Sequence, residues 1–297
     1  MRLKKILNTT LRLMCMIALL ATVTSCIKDD LSDCPSTFTL TVGAYDKSET
    51  ALGKKEVKDV RLYVFDSDRR FVKKIDTQIG QPVTFQAGEG KDIHIVGWGN
   101  LGGGMQECSL PNPGDHKDNC LVSLSPQADS SNYFTSPDDL FRGEITIRKE
   151  EQRGEKELPI YREVGSLTVT LRNLKTFTGY NDNDYSIVVR DTHSSIDFYG
   201  NLTGNRVAYR SDGSFVTNNG TEDYLVPAFN MIPEEKGINI DIYYGTELIR
   251  TVSEDNSGNS ITIEKDRLTN VLIDLKAQVS ISVLLTDWGH YQVWKEF

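Results

Sequence analysis

From Thr37 onward the chain alternates, with Phe38, Leu40 and Val42 set against Thr37, Thr39 and Thr41. The same period of two returns at Val60, Leu62 and Val64, at Ile93 and Ile95, and at Leu167, Val169 and Leu171. It returns again at Ile238, Ile240 and Ile242 and at Val279, Ile281, Val283 and Leu285. Successive side chains of a strand point to opposite faces, so these β-branched and aromatic runs predict strands with one buried face. Turn signals stand between them at Gly80, Ala87-Gly88-Glu89-Gly90, Asp212-Gly213 and Asn219-Gly220. Many strands with few helical signals predict an all-β chain built of antiparallel β-sandwiches. Two short helical turns are expected, one capped by Ser136 and opened by Pro137, the other over Glu264 to Arg267 ahead of a strand near Thr269.

The sharpest break in this pattern is Lys149-Glu150-Glu151-Gln152-Arg153-Gly154-Glu155-Lys156-Glu157, with seven charges in nine residues. Alternation restarts at Leu158, which places a domain boundary there and predicts one sandwich over residues 36–157 and a second over 158–297. Each has an ordinary domain size.

Ahead of the strands the composition is different. Arg2, Lys4, Lys5 and Arg12 precede an apolar run from Met14 to Val23 that is too short to span a bilayer, the pattern of a secretory signal peptide over residues 1–25. Its exit, Val23-Thr24-Ser25-Cys26, resembles the lipobox read by the lipoprotein signal peptidase. Cys26 is then the expected lipid attachment site, with residues 26–35 as a lipidated tether. Each buried methylene contributes about 0.8 kcal/mol, so two or more acyl chains hold a protein stably on a membrane. The alternative is a plain secreted chain in which Cys26 is incidental. The acidic Asp29, Asp30 and Asp33 after the anchor resemble a surface-export tag, which places the chain at the outer membrane, facing outward.

Loss of the four basic residues of the signal takes the formal charge from −9 to −13. Phosphate backbones and anionic headgroups are bound by basic patches, so nucleic acid is excluded as a partner. No later stretch is apolar and long enough to cross a bilayer.

Three cysteines remain beyond Cys26. Cys108 and Cys120 flank a turn-rich loop and are the expected disulfide, with Cys34 as the alternative partner of either. The four histidines are scattered, and neither they nor the cysteines have zinc-ligand spacing, so no metal and no cofactor is expected. Gly97-Trp98-Gly99-Asn100-Leu101-Gly102 spells G-x-G-x-x-G, but Pro111 and the glycines at 103 and 104 offer no helix to receive a pyrophosphate. Asp191, His193, Ser194, Ser195 and Asp197 hold the residue types of a hydrolase without a nucleophile motif, so no catalytic residue is assigned. Asn181 to Asp184 and Asp255 to Asn259 read as Asx-rich turns; an EF-hand would continue to a distant Glu. Trp288, Tyr291 and Trp294 form an aromatic end, suited either to a contact surface or to closing the chain's own sandwich.

Several local patterns together resemble one family. Cys26-Ile27-Lys28-Asp29-Asp30-Leu31-Ser32-Asp33-Cys34-Pro35 is similar to the opening of the fimbrillin-A-associated anchor proteins, lipoproteins at the base of type V pili of Bacteroidetes. Val60 to Asp66, Arg162 to Val169, Asp197 to Leu202 and Ile281 to Trp288 resemble that family in the same order. The resemblance implies two transthyretin-like sandwiches, no enzyme activity, a fimbrial stalk subunit as partner, and a part in attachment and length control. In the family picture, stalk precursors lose their first strand to an arginine-specific protease, and a neighbour's C-terminal strand fills the groove. Between Cys26 and Val60 this chain has no arginine, and the first, Arg61, lies inside a strand-like run. The first strand is therefore expected to stay, leaving a subunit that donates but does not accept. Val279, Ile281, Val283 and Leu285 are the expected donor strand, or else the aromatic segment after them. The rival is a glycan-binding surface lipoprotein using Trp98, Trp288 or Trp294 as a stacking platform.

Overall fold

Each alternating run forms a strand. The structure, a computed structural model, describes residues 37–86, 91–109, 111–128, 130–218, 221–292 and 294. The signal, Cys26, the tether and Cys34 lie outside the described residues, as do the turn signals at 87–90 and 219–220. In β1 (Thr37–Tyr45) Phe38, Leu40, Val42 and Ala44 are buried, while Thr39 and Thr41 are half-buried. The chain continues through β2 (Ala51–Leu52), β3 (Val60–Phe65), β4 (Phe71–Thr77), β5 (Val83–Gln86), β6 (Ile93–Gly99), β7 (Gln106–Cys108) and β8 (Leu121–Leu124). Then come β9 (Pro126–Gln127), β10 (Ser130–Phe134), β11 (Phe141–Ile147), β12 (Gly154–Arg162) and β13 (Gly165–Arg172). A short helix α1 (Leu174–Thr178), which the sequence pattern did not predict, leads to β14 (Tyr185–Asp197), β15 (Leu202–Asp212), β16 (Ser214–Asn218) and β17 (Thr221–Met231). The last strands are β18 (Asn239–Tyr244), β19 (Glu247–Val252), β20 (Arg267–Asp274) and β21 (Ser280–Asp287).

The strands assemble into three main sheets and the small β9–β10 hairpin, so the chain is all-β. The first sheet runs β2-β1-β12-β11-β6-β3-β4, with β5 also on β1. The second runs β16-β17-β13-β20-β21, and the third β19-β18-β14-β8-β7, with β15 also on β14. The first sheet uses no residue after Arg162 and the second none before Gly165, while Leu158 sits inside β12. The third sheet draws on both halves, because β8 pairs with the end of β14. Most pairs are antiparallel, but β1·β12 and β13·β20 are parallel. Parallel neighbours need a long crossover. Here the crossover from β1 to β12 contains every other strand of the first sheet, so the last strand of the sheet in sequence returns to lie beside the first.

One apolar cluster lies on one face of the first sheet, with Leu40, Leu62, Ile95, Phe141, Leu158 and Ile160 at its centre. Tyr63, Phe65, Val96 and Trp98 point the other way and join a second cluster, which continues between the second and third sheets through Leu167, Val169, Ile187 and Ile240. Phe198 is the wedge where they meet, its ring 4.8 Å from that of Tyr63 and 5.8 Å from that of Trp98. Burial on both faces makes β3 and β6 almost continuously apolar at their cores.

Two expectations change. Residues 136–140 are not helical: Asn230 of β17 takes Ser136 Oγ and the Pro137 carbonyl as partners, which holds the segment extended. Over Glu264 to Arg267 only Lys265 and Asp266 form a turn, and β20 begins at Arg267. Among the described residues no helix is long and apolar enough to cross a membrane.

If β1 is an integral strand, Leu40→Ala leaves a void at a position with no exposed area. It should cost about 2–5 kcal/mol in denaturant unfolding.

Candidate functional site

The first strand is held on both edges. Along one, eight consecutive positions from Phe38 to Tyr45 pair with Gly154 to Tyr161 of β12. Along the other, Thr37–Leu40 pair with β5 and Ala44–Tyr45 with β2. The Phe38 ring stacks on Phe85 with centroids 5.0 Å apart and planes 4° from parallel. Just past the strand, the Lys47 amide donates to Asp266 Oδ2 at 2.5 Å. Arg61, the first arginine after Cys26, lies in β3 between β4 and β6.

At the other end of the chain, Val279, Ile281 and Val283 pack against the second apolar cluster. Ile281, Val283 and Leu285 lie in β21, which is laddered on β20 from Ser280 to Asp287 without a bulge. The expected donor strand is therefore part of the chain's own sheet in this structure. After Asp287 the backbone turns, with His290 N donating to Asp287 O at 3.0 Å and Thr286 Oγ1 donating to His290 O at 2.6 Å. The tail then crosses the outer face of the second sheet. Gln292 N donates to Asn270 Oδ1 at 3.0 Å and Arg172 Nη2 to Trp294 O at 3.4 Å. Tyr291 and Trp294 line a cavity of about 220 Å³ over Thr168, Thr170 and Val216.

The three aromatics of this end have three different environments. Trp288 lies under the Arg162 guanidinium, 4.2 Å from ring centroid to Cζ, Trp294 is half-buried, and Tyr291 is 64% exposed. Trp98 is fully buried, so it offers no platform to a glycan.

Arg162, at the end of β12, ties these parts together. It donates through Nε and Nη2 to Asp139 at 2.6 and 3.0 Å, and through Nη1 to Asp266 beside β20. Phe141 stacks on its other side, at 4.8 Å. Burial pushes the Asp139 carboxyl above its ordinary range, against the pull of Arg162. An open cleft of about 840 Å³ beside this node carries Lys47, Glu49, Glu264 and Lys265, charges of both signs.

The remaining candidates have structural partners. Cys108 and Cys120 are free thiols, so the bridge expected between them is not formed. The β7·β8 register sets Cys108 opposite Val122, two residues beyond Cys120, and Tyr63 Oη lies 3.2 Å from Cys108 Sγ. Burial raises the Cys108 thiol and pushes that of Cys120 up to about 12, which keeps it protonated and unreactive at neutral pH. Gly97 and Gly99 lie in β6, where a Cβ would meet Leu158 at 2.9 Å and Val57 at 3.0 Å. They serve close packing, not phosphate binding. His193 faces Glu234 at 4.0 Å, and Ser195 pairs its hydroxyl with Ser123 at 2.8 Å. Asp255 closes its own loop by accepting from the amides of Ser257 and Asn259 at 2.8 and 2.9 Å. Asp182 accepts from Tyr244 Oη at 2.7 Å. Among the described residues no group of three His, Cys, Asp or Glu side chains is arranged to hold a metal ion. Asn256, read in the sequence only as part of an Asx-rich turn, bonds to the edge of β21.

This all-β fold is similar to that of the fimbrial anchor protein Mfa2 from Porphyromonas gingivalis. The two superpose with a TM-score of 0.61 over 86% of this chain and 98% of that one, at 13% identity. The chain belongs to the family of fimbrillin-A associated anchor proteins Mfa1 and Mfa2, whose pattern matches residues 31–294. It is 28% identical over 291 residues to the major fimbrium anchoring subunit FimB of Porphyromonas gingivalis strain W83, covering 92% of this chain and 93% of that protein. The family is one of structural fimbrial anchors and adhesins, not of enzymes.

Arg162→Met removes the partner of two carboxylates at this node and should destabilise the protein by about 3–5 kcal/mol. Thermal and denaturant unfolding of the variant measure the loss.

Proposed function

We propose that this chain anchors a fimbrium to the cell surface, held to the outer membrane by lipid on Cys26, and that it ends fimbrial growth there. Its partner is a fimbrial stalk subunit. The observation that carries this reading, beside family membership, is β1 in its slot. Strand addition joins chains by ladder hydrogen bonds along a vacant edge. With β1 between β12 and its partners β5 and β2, the slot that a neighbour's strand would fill beside β12 is occupied. A subunit whose first-strand slot is already filled cannot take a neighbour's strand there, which makes it an end point.

Joining the stalk is then left to the C-terminal end, by donation. The full ladder and core packing of β21 favour the segment after it, residues 288–297, as the donor. Releasing Val279 to Leu285 would uncover the second core, whereas the tail lies on a polar face where Thr168 and Ser166 already bond to β17.

Replacement of Cys26 by Ala should move the protein from the membrane fraction to the medium, together with detached fimbriae, as read by fractionation and electron microscopy. Deletion of residues 288–297 should detach fimbriae while the membrane-bound protein remains; fimbriae still held firmly would sink the tail as donor. Intact mass of the outer-membrane form should show residue 26 lipidated and the first strand present, and a mature chain lacking residues 26–45 would refute the closed slot.

A further inference from the structure

Edge strands present unpaired N–H and C=O groups, and proteins guard them with charges, bulges or brevity. Most edges of this chain are guarded in that way. β4 carries Lys73, Lys74 and Asp76, β19 carries Glu247 and Arg250, and β15 has two register shifts against β14. β2 and β7 have two and three residues, and β5 and β16 have four and five. β21 is different: it has eight residues, Ser-Ile-Ser-Val-Leu-Leu-Thr-Asp, uncharged until the last and unbulged along its whole ladder.

The atoms on its free side follow from one contact. Ile281 N donates to Asn256 Oδ1 at 2.7 Å and Ile281 O accepts from Asn256 N at 3.0 Å, so the polar groups of Ile281 point away from β20. In an antiparallel pair these directions alternate. The N–H and C=O groups of Val283, Leu285 and Asp287 therefore point outward too, and those of Ser282, Leu284 and Thr286 point to β20. Asn256 caps the edge at Ile281, and His290 takes the Asp287 carbonyl. Between the caps, among the described residues, Val283 and Leu285 present an open stretch.

We propose that this edge of β21 receives an extended segment of the fimbrial subunit as an added strand. The inference rests on the anchor reading and names where a second contact to the same partner forms. Ile281 and Val283 are only half-buried at the rim of the second core, so an added strand with alternating apolar residues would extend that core outward. The window between the caps is too short for a second copy of this chain to dock edge to edge with the area a stable dimer needs, whereas an extended segment can enter it.

The test uses the full lipoprotein purified from membranes and fimbriae shed by cells that lack it, whose base ends are free. Val283→Pro removes one outward N–H, at a position where an edge strand tolerates proline and no bond to β20 is lost. Its binding to the fimbriae should weaken about tenfold while its unfolding midpoint holds, the loss expected for a ladder bond and the strand fit beside it. Hydrogen exchange on the unmodified protein is the second measurement, and does not depend on the variant folding. The amides of Val283 and Leu285 should exchange fast alone and slowly once fimbriae are added. Equal binding by Val283→Pro, or no added protection at 283 and 285, overturns the edge site and leaves the anchor reading standing. No binding of fimbrillin by the unmodified protein, checked by mass spectrometry, overturns both. Concentration-dependent dimerisation that protects the same two amides assigns the edge to a second copy and overturns this partner.

Discussion

The parallel pairing of β1 with β12 is the contact on which the first half of the structure depends. β12 has β11 on its other side, so β1 connects β5 and β2 to the rest of the sheet. The apolar cluster beneath needs Phe38, Leu40, Val42 and Ala44 from that single strand. A parallel neighbour so distant in sequence makes no local turn, and loop-closure entropy must be met before its bonds form. Its eight-position register and buried side chains supply the compensation.

Arg162 links that pairing to the rest of the chain. It sits where β12 ends and the chain passes to the second sheet, and its partners come from the segment before β11, the approach to β20 and the C-terminal turn. Asp266 also accepts the amide after β1. A charge this deep is tolerated because every face of the guanidinium is used, by two carboxylates and two rings. The segment after β1 and the turn after β21 thus meet at one node, formed by Arg162 and its partner Asp266.

The C-terminal end combines a fixed strand with a strap. β21 is part of a core, whereas Tyr291, Gln292 and Trp294 lie over a polar face. The Asx-rich turn at 255–259, which resembles an ion site by composition, instead folds on Asp255 and presents Asn256 as a one-residue substitute for a neighbouring strand.

The strands were legible in the sequence because a half-buried sheet imposes a period of two on every residue it uses, and Phe38 to Val42 or Leu167 to Leu171 carry that period in full. The family was legible too, since the resemblance resides in runs of consecutive residues. Short-range chemistry misled at Ser136-Pro137, where a good helix start was overruled by Asn230, and at Cys108 and Cys120, where nearness in sequence did not bring the two thiols opposite each other. What the sequence by itself determined is the all-β character, because alternation is local. Which strands became neighbours, that β1 lies parallel to β12, and that β21 keeps an open edge were decided by tertiary structure alone, because pairing partners and free edges depend on residues far apart in the chain.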